Sequence, residues 1–540
     1  MVSLIMPRFF NTTGPCNPEK HYTLSPSKRL VGSQLSRYIE SELFWVLHAP
    51  RQSGKTTFLQ SWMREINSSD KAIACYVSVE RCQDFPDADD AIPAICSAII
   101  SYASAWLPKN IIPSLPQCDP ASQLDTILTE WARLVAPKPL VVLFDEVDVL
   151  QDQSMVSFLR QLRGGFAKRG IATFPVSVAL VGMRDLTGRP GEQCAKRTTS
   201  QDYLIMSKDG KQVNPGSPFN IKQDSATLSN FTSDDVRELA LQHTTETGQI
   251  FSEKSLELVY DFTRGQPWLT NSLLQKCIWT LCPNGENVEE EHIYTAREML
   301  IKERAVHLDS LAERLKDQRV KKVVQTILTG ESDPTLTDGD GFRLTCDLGL
   351  VVKENGIPEI ANPIYRETIV RVLSQGMQDA ISPPEFKWQN DDGTLDMDEL
   401  FKDFQRFWQR HSEAWEQKAD YTEAFPHLLL MAFLQRVTNG GGRIEREYAA
   451  GRGRMDIAVL YNGVWTIIEI KLVHPGDGRS AAVEEGLEQI GKYRDRLSPD
   501  ADSYLVVFDR TPAGRQKNWD ERLTWDVTET KGKKVTVVGG

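Results

Sequence analysis

The period of the apolar residues changes several times along this chain, and each change marks an element. Phe44-Trp-Val-Leu-His-Ala49 is an unbroken apolar run closed by Pro50, the pattern of a buried strand, and the spacing after it predicts a helix to about Ile66. A second such strand, Pro139-Leu-Val-Val-Leu-Phe144, ends in the carboxylates Asp145 and Glu146. A helix is predicted over Ser154 to Lys168 and a third strand over Phe174 to Val181. Four helical segments follow at about 233–246, 253–263, 267–282 and 290–303, the first two opening on the N-cap residues Thr232 and Ser252. Residues 305–375 read as helices followed by Asp347-Leu-Gly-Leu-Val-Val-Lys353, a turn at Gly356 and Ile360-Ala-Asn-Pro-Ile-Tyr-Arg366. Near the C-terminus the runs Met455–Tyr461 and Val464–Leu472 flank Asn462-Gly463, a strong two-residue hairpin signal. A helix over Ala424–Val437 and a strand carrying Glu447 are expected before the hairpin. A helix over Ala481–Arg496 and a strand over Ser503–Phe508 are expected after it.

Two of these strands end where chemistry is expected. Between the first strand and its helix stand Pro50, Arg51, Gln52, Ser53, Gly54, Lys55, Thr56 and Thr57, a Walker A loop whose first glycine is replaced by Ala49. Consecutive backbone N–H groups at a helix N-terminus wrap phosphates, Lys55 reaches the β- and γ-phosphates, and the Thr56 hydroxyl ligates Mg²⁺. Asp145 is the matching carboxylate that holds the metal, and Glu146 is placed to polarise the attacking water. In the C-terminal hairpin, Asp456 and Glu469 fall on neighbouring strands, where two carboxylates can share a hard cation. Lys471 emerges on the same face as Glu469, one pleat further on. That arrangement suits metal-dependent phosphodiester hydrolysis with Mg²⁺, or alternatively Mn²⁺.

The C-terminal stretch, roughly Tyr421 to Arg510, resembles the PD-(D/E)XK nuclease superfamily in its RecB-like branch. The resemblance rests on Asp456, Glu469-Ile-Lys471 and Gln489-x-x-x-Tyr493 in an α-β-β-β-α-β order. It implies that Asp456 and Glu469 bind metal, that Lys471 is catalytic, and that the helix of Gln489 and Tyr493 borders the site and contacts DNA. The family's further acidic ligand has two candidates here, Glu423 and Glu447. Residues 35–375 resemble the STAND branch of AAA-type ATPases, including archaeal-ATPase relatives. The likeness is carried by the two Walker motifs, Gly265-Gln-Pro267 and a following winged-helix pattern. It implies an α/β fold with a parallel P-loop sheet, a helical lid and a winged helix. It makes Arg184, at the tip of the third strand, a candidate γ-phosphate sensor, and it sets Pro267 against the nucleotide base. The plain alternative for Pro267 is a proline at the first position of a helix.

The expected boundaries are an N-terminal segment 1–34, a P-loop core 35–222, a lid 223–304 and a winged-helix-like domain 305–376. A linker and helix at 377–420 and the nuclease-like domain 421–540 complete the chain, with the Pro- and acid-rich residues 382–398 as the linker proper. The 540 residues carry a net charge of −12, so a uniform basic footprint for nucleic acid is absent, while Arg443, Arg446, Arg452 and Arg454 cluster before the metal motif. Nine cysteines without a C-x-x-C pair argue against a disulfide framework or structural zinc, and no apolar run reaches the ~18 residues of a membrane span. A cytoplasmic home, homo-oligomerisation and nucleic acid, foremost DNA, as partner are the expectations. The reading is an ATP-dependent switch governing a nuclease, with bacterial defence against phage or plasmids as one implication of the resemblance. The alternative is a signalling or scaffold ATPase whose nuclease-like domain only binds DNA or a partner.

Overall fold

The computed structural model describes residues 8–30, 34–182, 205–206, 212–213, 224–303, 308, 311, 313–329, 336–354, 356–380, 388–416, 429–434, 443–445, 457–473, 478–496, 498, 500–509 and 511–540. They fall into two compact units: residues 1–303 with 347–349, and residues 304–346 with 350–540.

The first unit is built on five parallel strands: β1 (Phe44–His48), β2 (Ile73–Ser78), β3 (Leu140–Asp145), β4 (Ser177–Gly182) and β5 (Asp224–Thr227). Their order in the sheet is β2-β3-β4-β1-β5. Every residue of β3 and β4 is buried, which explains why both read as continuous apolar runs and not as alternating ones. Alternation operates instead between the two faces. Phe44 and Val46 of β1 enter one core with helices α3 (Ala88–Trp106), α4 (Pro120–Val135) and α5 (Asp152–Ala167). Trp45 and Leu47 enter another with α1 (Gln34–Glu40) and α2 (Lys55–Ser68). Helices on both faces of a parallel sheet, with β4 inserted between the Walker A strand and the Walker B strand, make this a P-loop NTPase α/β fold. The strand expected from Phe174 is β4 and begins at Ser177, three residues later than its hydrophobicity suggests, because Pro175 cannot donate to the ladder.

Four helices complete the unit: α6 (Ser233–Thr247), α7 (Glu253–Thr263), α8 (Pro267–Lys276) and α9 (Glu290–Lys302). Thr232 and Ser252 cap the first two, each accepting a backbone N–H from three residues on. The third is shorter than its pattern predicts, since a π-turn, Cys277–Leu281, replaces its last turn.

The second unit contains a hairpin, β6 (Val351–Glu354) and β7 (Ile357–Ile360), turning at Gly356 with φ +86°. Helices α10 (Gln318–Thr329), α11 (Asp340–Asp347) and α12 (Pro363–Ala380) surround it in sequence. The run from Ile360 to Arg366 is strand only at its first residue. Asn362 accepts from Tyr365 N at 2.8 Å and, with Pro363 at the first turn, starts α12.

The larger part of this unit is a six-stranded mixed sheet. Its strands are β8 (Arg443–Glu445), β9 (Ile457–Tyr461), β10 (Val464–Val473), β11 (Asp502–Asp509), β12 (Trp525–Thr530) and β13 (Lys533–Gly539), in the order β8-β9-β10-β11-β13-β12. β9 and β10 are antiparallel through Asn462 (φ +46°) and Gly463 (φ +84°), the left-handed pair a two-residue hairpin demands. β10, β11 and β13 run parallel. Helix α14 (Arg479–Arg496) covers one face with Ala482, Ile490 and Tyr493 on Ile467, Leu505 and Val507. Helix α13 (Met397–Glu416) covers the other, where Trp408 meets Phe508 at 5.0 Å and Phe401 meets Tyr504 at 4.7 Å between ring centroids. Residues 388–398, expected within the linker, are built into this unit. Trp388 is buried and donates to Asp403 Oδ2 at 2.7 Å, and Asn462 Nδ2 donates to Gly393 O at 2.6 Å.

Candidate functional site

The P-loop of the first unit leaves β1 at Ala49 and enters α2 at Lys55. Gly54, at φ +83°, and Gln52, at φ +57°, supply the left-handed residues of the loop. Ala49 is buried and does not have a positive φ, so the missing first glycine costs no backbone strain. Lys55 Nζ is buried and donates to Ala49 O at 2.8 Å and Pro50 O at 3.0 Å. Burial pushes its pKa down, opposed by the nearby Glu146, Asp145 and Asp148 carboxylates.

The two Walker motifs meet directly. Thr56 Oγ1 donates to Asp145 Oδ2 at 2.7 Å, and the Tyr76 hydroxyl on β2 donates to the same oxygen at 3.1 Å. Glu146 N donates to Asp145 Oδ1 at 3.0 Å. A hydroxyl and a carboxylate held this way are hard oxygen donors of the kind Mg²⁺ selects, so the residues fit the metal that Thr56 and Asp145 would hold. Burial raises the pKa of Asp145, while the Thr56 hydroxyl and Lys55 oppose the rise. Glu146 is likewise raised by burial and by Asp145 beside it. Its φ of +58° is left-handed, a strained setting for a residue with a side chain, of order 1–3 kcal/mol. Gly182 ends β4 where a Cβ would come within 2.8 Å of the Asp148 carboxylate, so only glycine lets the strand tip approach. Arg184, two residues beyond, lies outside the described residues.

The raised pKa of Asp145 makes a stability prediction. A carboxyl that holds its proton more tightly when folded costs stability as pH rises through the interval between its unfolded and folded pKa values, and above that interval the cost is complete. Asp145→Asn removes this charge while both hydroxyls can rotate to new roles. The variant should melt a few degrees higher than the parent near neutral pH without metal, on the scale of ~2–4 °C per kcal/mol. The difference should shrink in acid. Matched thermal scans at two pH values check it, and a lower melting temperature at both would contradict the buried-charge account.

A second feature escaped the sequence motifs. Residues 9–29 fold back over α2, α6 and α8. Trp268, Asn271 and Gln275 lie on one stripe of α8, and their side chains donate to the main-chain oxygens of Thr12 (2.9 Å), Asn11 (3.0 Å) and Phe10 (2.6 Å). Cys16 N donates to Thr57 Oγ1 at 3.0 Å. Arg29 Nη2 donates to Ser53 O at 2.7 Å and to Ser229 O at 2.9 Å, and its guanidinium lies 4.9 Å from the Phe231 ring centroid. Burial lowers the Arg29 pKa to about 10, with Asp235 and Cys16 opposing. Gln266 Nε2 donates to Gln52 O at 3.2 Å, so the N-cap residue of α8 and the N-terminal segment each hold one carbonyl of the Walker A loop. No local pattern announces Arg29, because its partners are 24 and 200 residues away. These elements line a small cleft of about 40 Å³, whose walls include Cys16, Arg29, Thr57, Ser61, Phe231 and Asn271. Pro267 is the first residue of α8 and is buried, but it does not line this cleft; Asn271, one turn on, does. Gly265 makes the approach to α8 possible, since a Cβ there would lie 1.8 Å from Phe231 O.

In the second unit, Ile467, Glu469, Lys471 and Val473 share the face of β10 that packs under α14. Glu469 and Lys471 are both fully buried in an otherwise apolar layer and pair at 2.9 Å. Neither Glu469 carboxylate oxygen has a hydrogen bond of good geometry, which suits a carboxylate that would receive a hard cation. Lys471 Nζ also donates to Gln489 Oε1 and stands 3.6 Å from Glu485 Oε1. Glu485 was not among the sequence candidates, although it lies one turn before Gln489 on the same helical stripe. Gly486 lets α14 approach: a Cβ there would be 2.5 Å from Leu505 Cδ1 and 3.3 Å from Lys471 Cε. Tyr493 is buried in the apolar cluster under the helix. Asp456, Glu423, Glu447, Arg446, Arg452 and Arg454 lie outside the described residues. Among the described residues no group of three or more His, Cys, Asp or Glu side chains is disposed to hold a metal.

No family model matches the sequence, and no curated protein sequence matches it. Solved structures are similar to it at low identity and low score. A Walker-type ATPase of Pyrococcus abyssi is 14% identical, with 64% of this chain and 99% of that one aligned at a TM-score of 0.43. Cdc6p of Pyrobaculum aerophilum is 15% identical over 64% of this chain and 93% of its own, at 0.33. The Holliday junction branch migration motor RuvB of Thermotoga maritima is 12% identical over 62% and 92%, at 0.32. Scores this low carry no functional argument. Strand order and loop geometry, not these likenesses, place the first unit in the P-loop NTPase fold.

Proposed function

We propose that the chain is an ATP-binding and ATP-hydrolysing protein whose C-terminal unit is a metal-dependent nuclease under nucleotide control. The observation that supports the ATPase most is the 2.7 Å bond from Thr56 to Asp145, which joins the phosphate loop to the Walker B strand. In this reading Lys55 and the loop N–H groups bind the phosphates, Thr56 and Asp145 hold Mg²⁺, and Glu146 takes a proton from the attacking water. The metal, when bound, neutralises phosphate charge. Arg29 and Gln266, fixed on Ser53 and Gln52, keep the loop in its binding shape.

The nuclease reading is supported by the fully buried Glu469–Lys471 pair. Two charges in an apolar layer are costly, and a stability role alone would be better served by apolar residues. Glu469 would take the cation with Asp456, Lys471 would orient or deprotonate water, and Gln489 would fix the lysine. DNA is the proposed substrate. In the second reading this domain only binds DNA or a partner; the net charge of −12, which supplies no uniform basic footprint for nucleic acid, favours its partner-binding form. Assembly of several copies in one nucleotide state belongs to the same proposal.

The test is incubation of the whole protein with plasmid, linear DNA and RNA, with and without Mg²⁺ or Mn²⁺ and ATP. The proposal expects cleavage that needs the metal and changes with ATP. No cleavage under any condition, beside ATP hydrolysis, selects the binding-only reading.

A further inference from the structure

Asp145 is fully buried at the end of β3, and three donors among the described residues reach its carboxylate. Oδ2 accepts from the Thr56 hydroxyl at 2.7 Å and from the Tyr76 hydroxyl at 3.1 Å, and Oδ1 accepts from Glu146 N at 3.0 Å. An ionised carboxylate has about four acceptor positions, two on each oxygen. Oδ2 is therefore filled, and one position remains, on Oδ1. Thr56 comes from the Walker A loop and Glu146 is the next residue along the chain. Tyr76 belongs to neither motif.

Strand pairing brings Tyr76 to this carboxylate. It stands opposite Leu143 of β3, and Asp145 lies two residues further along β3, on the same face of the sheet. That face packs against α2, where Tyr76 and Leu143 share a core with Phe58, Leu59 and Met63. The phenol ring is buried and meets Tyr102 edge-on, with centroids 5.4 Å apart. A ring fixed in this way delivers its hydroxyl to one place. Phenylalanine would fill the same layer without reaching Asp145.

We propose that Tyr76 is a positioning residue that sets the cation preference of the nucleotide site, favouring Mg²⁺ over Ca²⁺. With Oδ2 filled by two hydroxyls, Asp145 has only one oxygen left to offer a cation, directly or through water. One fixed oxygen suits Mg²⁺, which requires regular octahedral geometry, takes few carboxylates and keeps several waters. Ca²⁺ is larger, gathers about six to eight oxygens and often takes both oxygens of one carboxylate, which a filled Oδ2 forbids. The proposal rests on the reading of the first unit as an ATP site and adds the choice of cation to it.

The test is calorimetric titration of ATP into the full-length protein and into Tyr76→Phe, with Mg²⁺, with Ca²⁺ and with EDTA. The parent should gain more affinity for ATP from Mg²⁺ than from Ca²⁺. Tyr76→Phe should bind ATP in EDTA as the parent does, because Lys55 and the loop N–H groups are untouched. That unchanged affinity also establishes that the variant is folded. Its gain from Mg²⁺ should fall about tenfold, the lower end for a lost outer-shell partner, while its gain from Ca²⁺ should not fall. Equal losses with both cations, no change with either, or weaker binding in EDTA overturns the role given to the Tyr76 hydroxyl. Absence of ATP binding to the parent under all three conditions overturns the ATP site itself, a separate outcome.

Discussion

Glu146→Gln should bind ATP with the parent's affinity and hydrolyse it at least about a hundredfold more slowly, the usual loss for a removed general base. The substitution keeps size and removes only the charge and the basic lone pair. It should not destabilise the fold, because burial and Asp145 already disfavour the ionised carboxylate at this position. Lys55→Ala differs in kind. It takes away the one buried ammonium in the phosphate loop, which donates to Ala49 O and Pro50 O. Nucleotide affinity should therefore fall, and turnover with it. Phosphate release measured beside calorimetric affinity separates the two variants. If both lose binding equally, Glu146 has no catalytic role and its left-handed backbone needs another explanation.

Lys471→Met should cost the second unit about 3–5 kcal/mol, because it leaves Glu469 charged, buried and deprived of its closest cation. That is a large part of the ~5–15 kcal/mol that holds a domain together. Glu469→Gln combined with Lys471→Met should recover most of the loss, since two neutral side chains of similar size then fill the layer beneath α14. Cleavage should stay lost in the recovered double variant and in Glu469→Gln alone. Denaturant unfolding and plasmid cutting with Mg²⁺, run on the same four proteins, make the comparison. A double variant that regains stability and still cuts at the parental rate would reduce the pair to a structural ion pair. Glu485 supplies a control, since it stands beside Lys471 but its carboxylate is half exposed.

Local chemistry made much of this legible. The loop from Pro50 to Thr57 needs glycine at 54 for its left-handed turn and an apolar strand before it, and both are short-range features. Asn462-Gly463 fixes its hairpin because few other pairs take two positive φ values in succession. The π-turn after Lys276 and the start of α12 at Asn362 and Pro363 are not legible for a different reason. Apolar periodicity continues through both, and hydrogen-bond register decides the element. Helix α13 and the strand pair β12–β13 left no chemical motif, so their place on the C-terminal sheet was not anticipated.

The sequence by itself determined which residues could do chemistry: Lys55, Thr56, Asp145 and Glu146 in one half, Glu469, Lys471 and Gln489 in the other. Their types and spacings follow from phosphate, metal and proton chemistry, which leaves little freedom over a few residues. Only the tertiary structure decided what surrounds them. Arg29 reaches Ser53, Tyr76 reaches Asp145, Asn271 is held on Asn11, and Glu485 stands against Lys471. These pairings run between elements distant in sequence or across a strand and a helix. They are selected by the burial of polar atoms that must find partners once water is excluded. Such a requirement has no local signature, because it arises only when the sheet, the lid and the N-terminal segment have closed around the site.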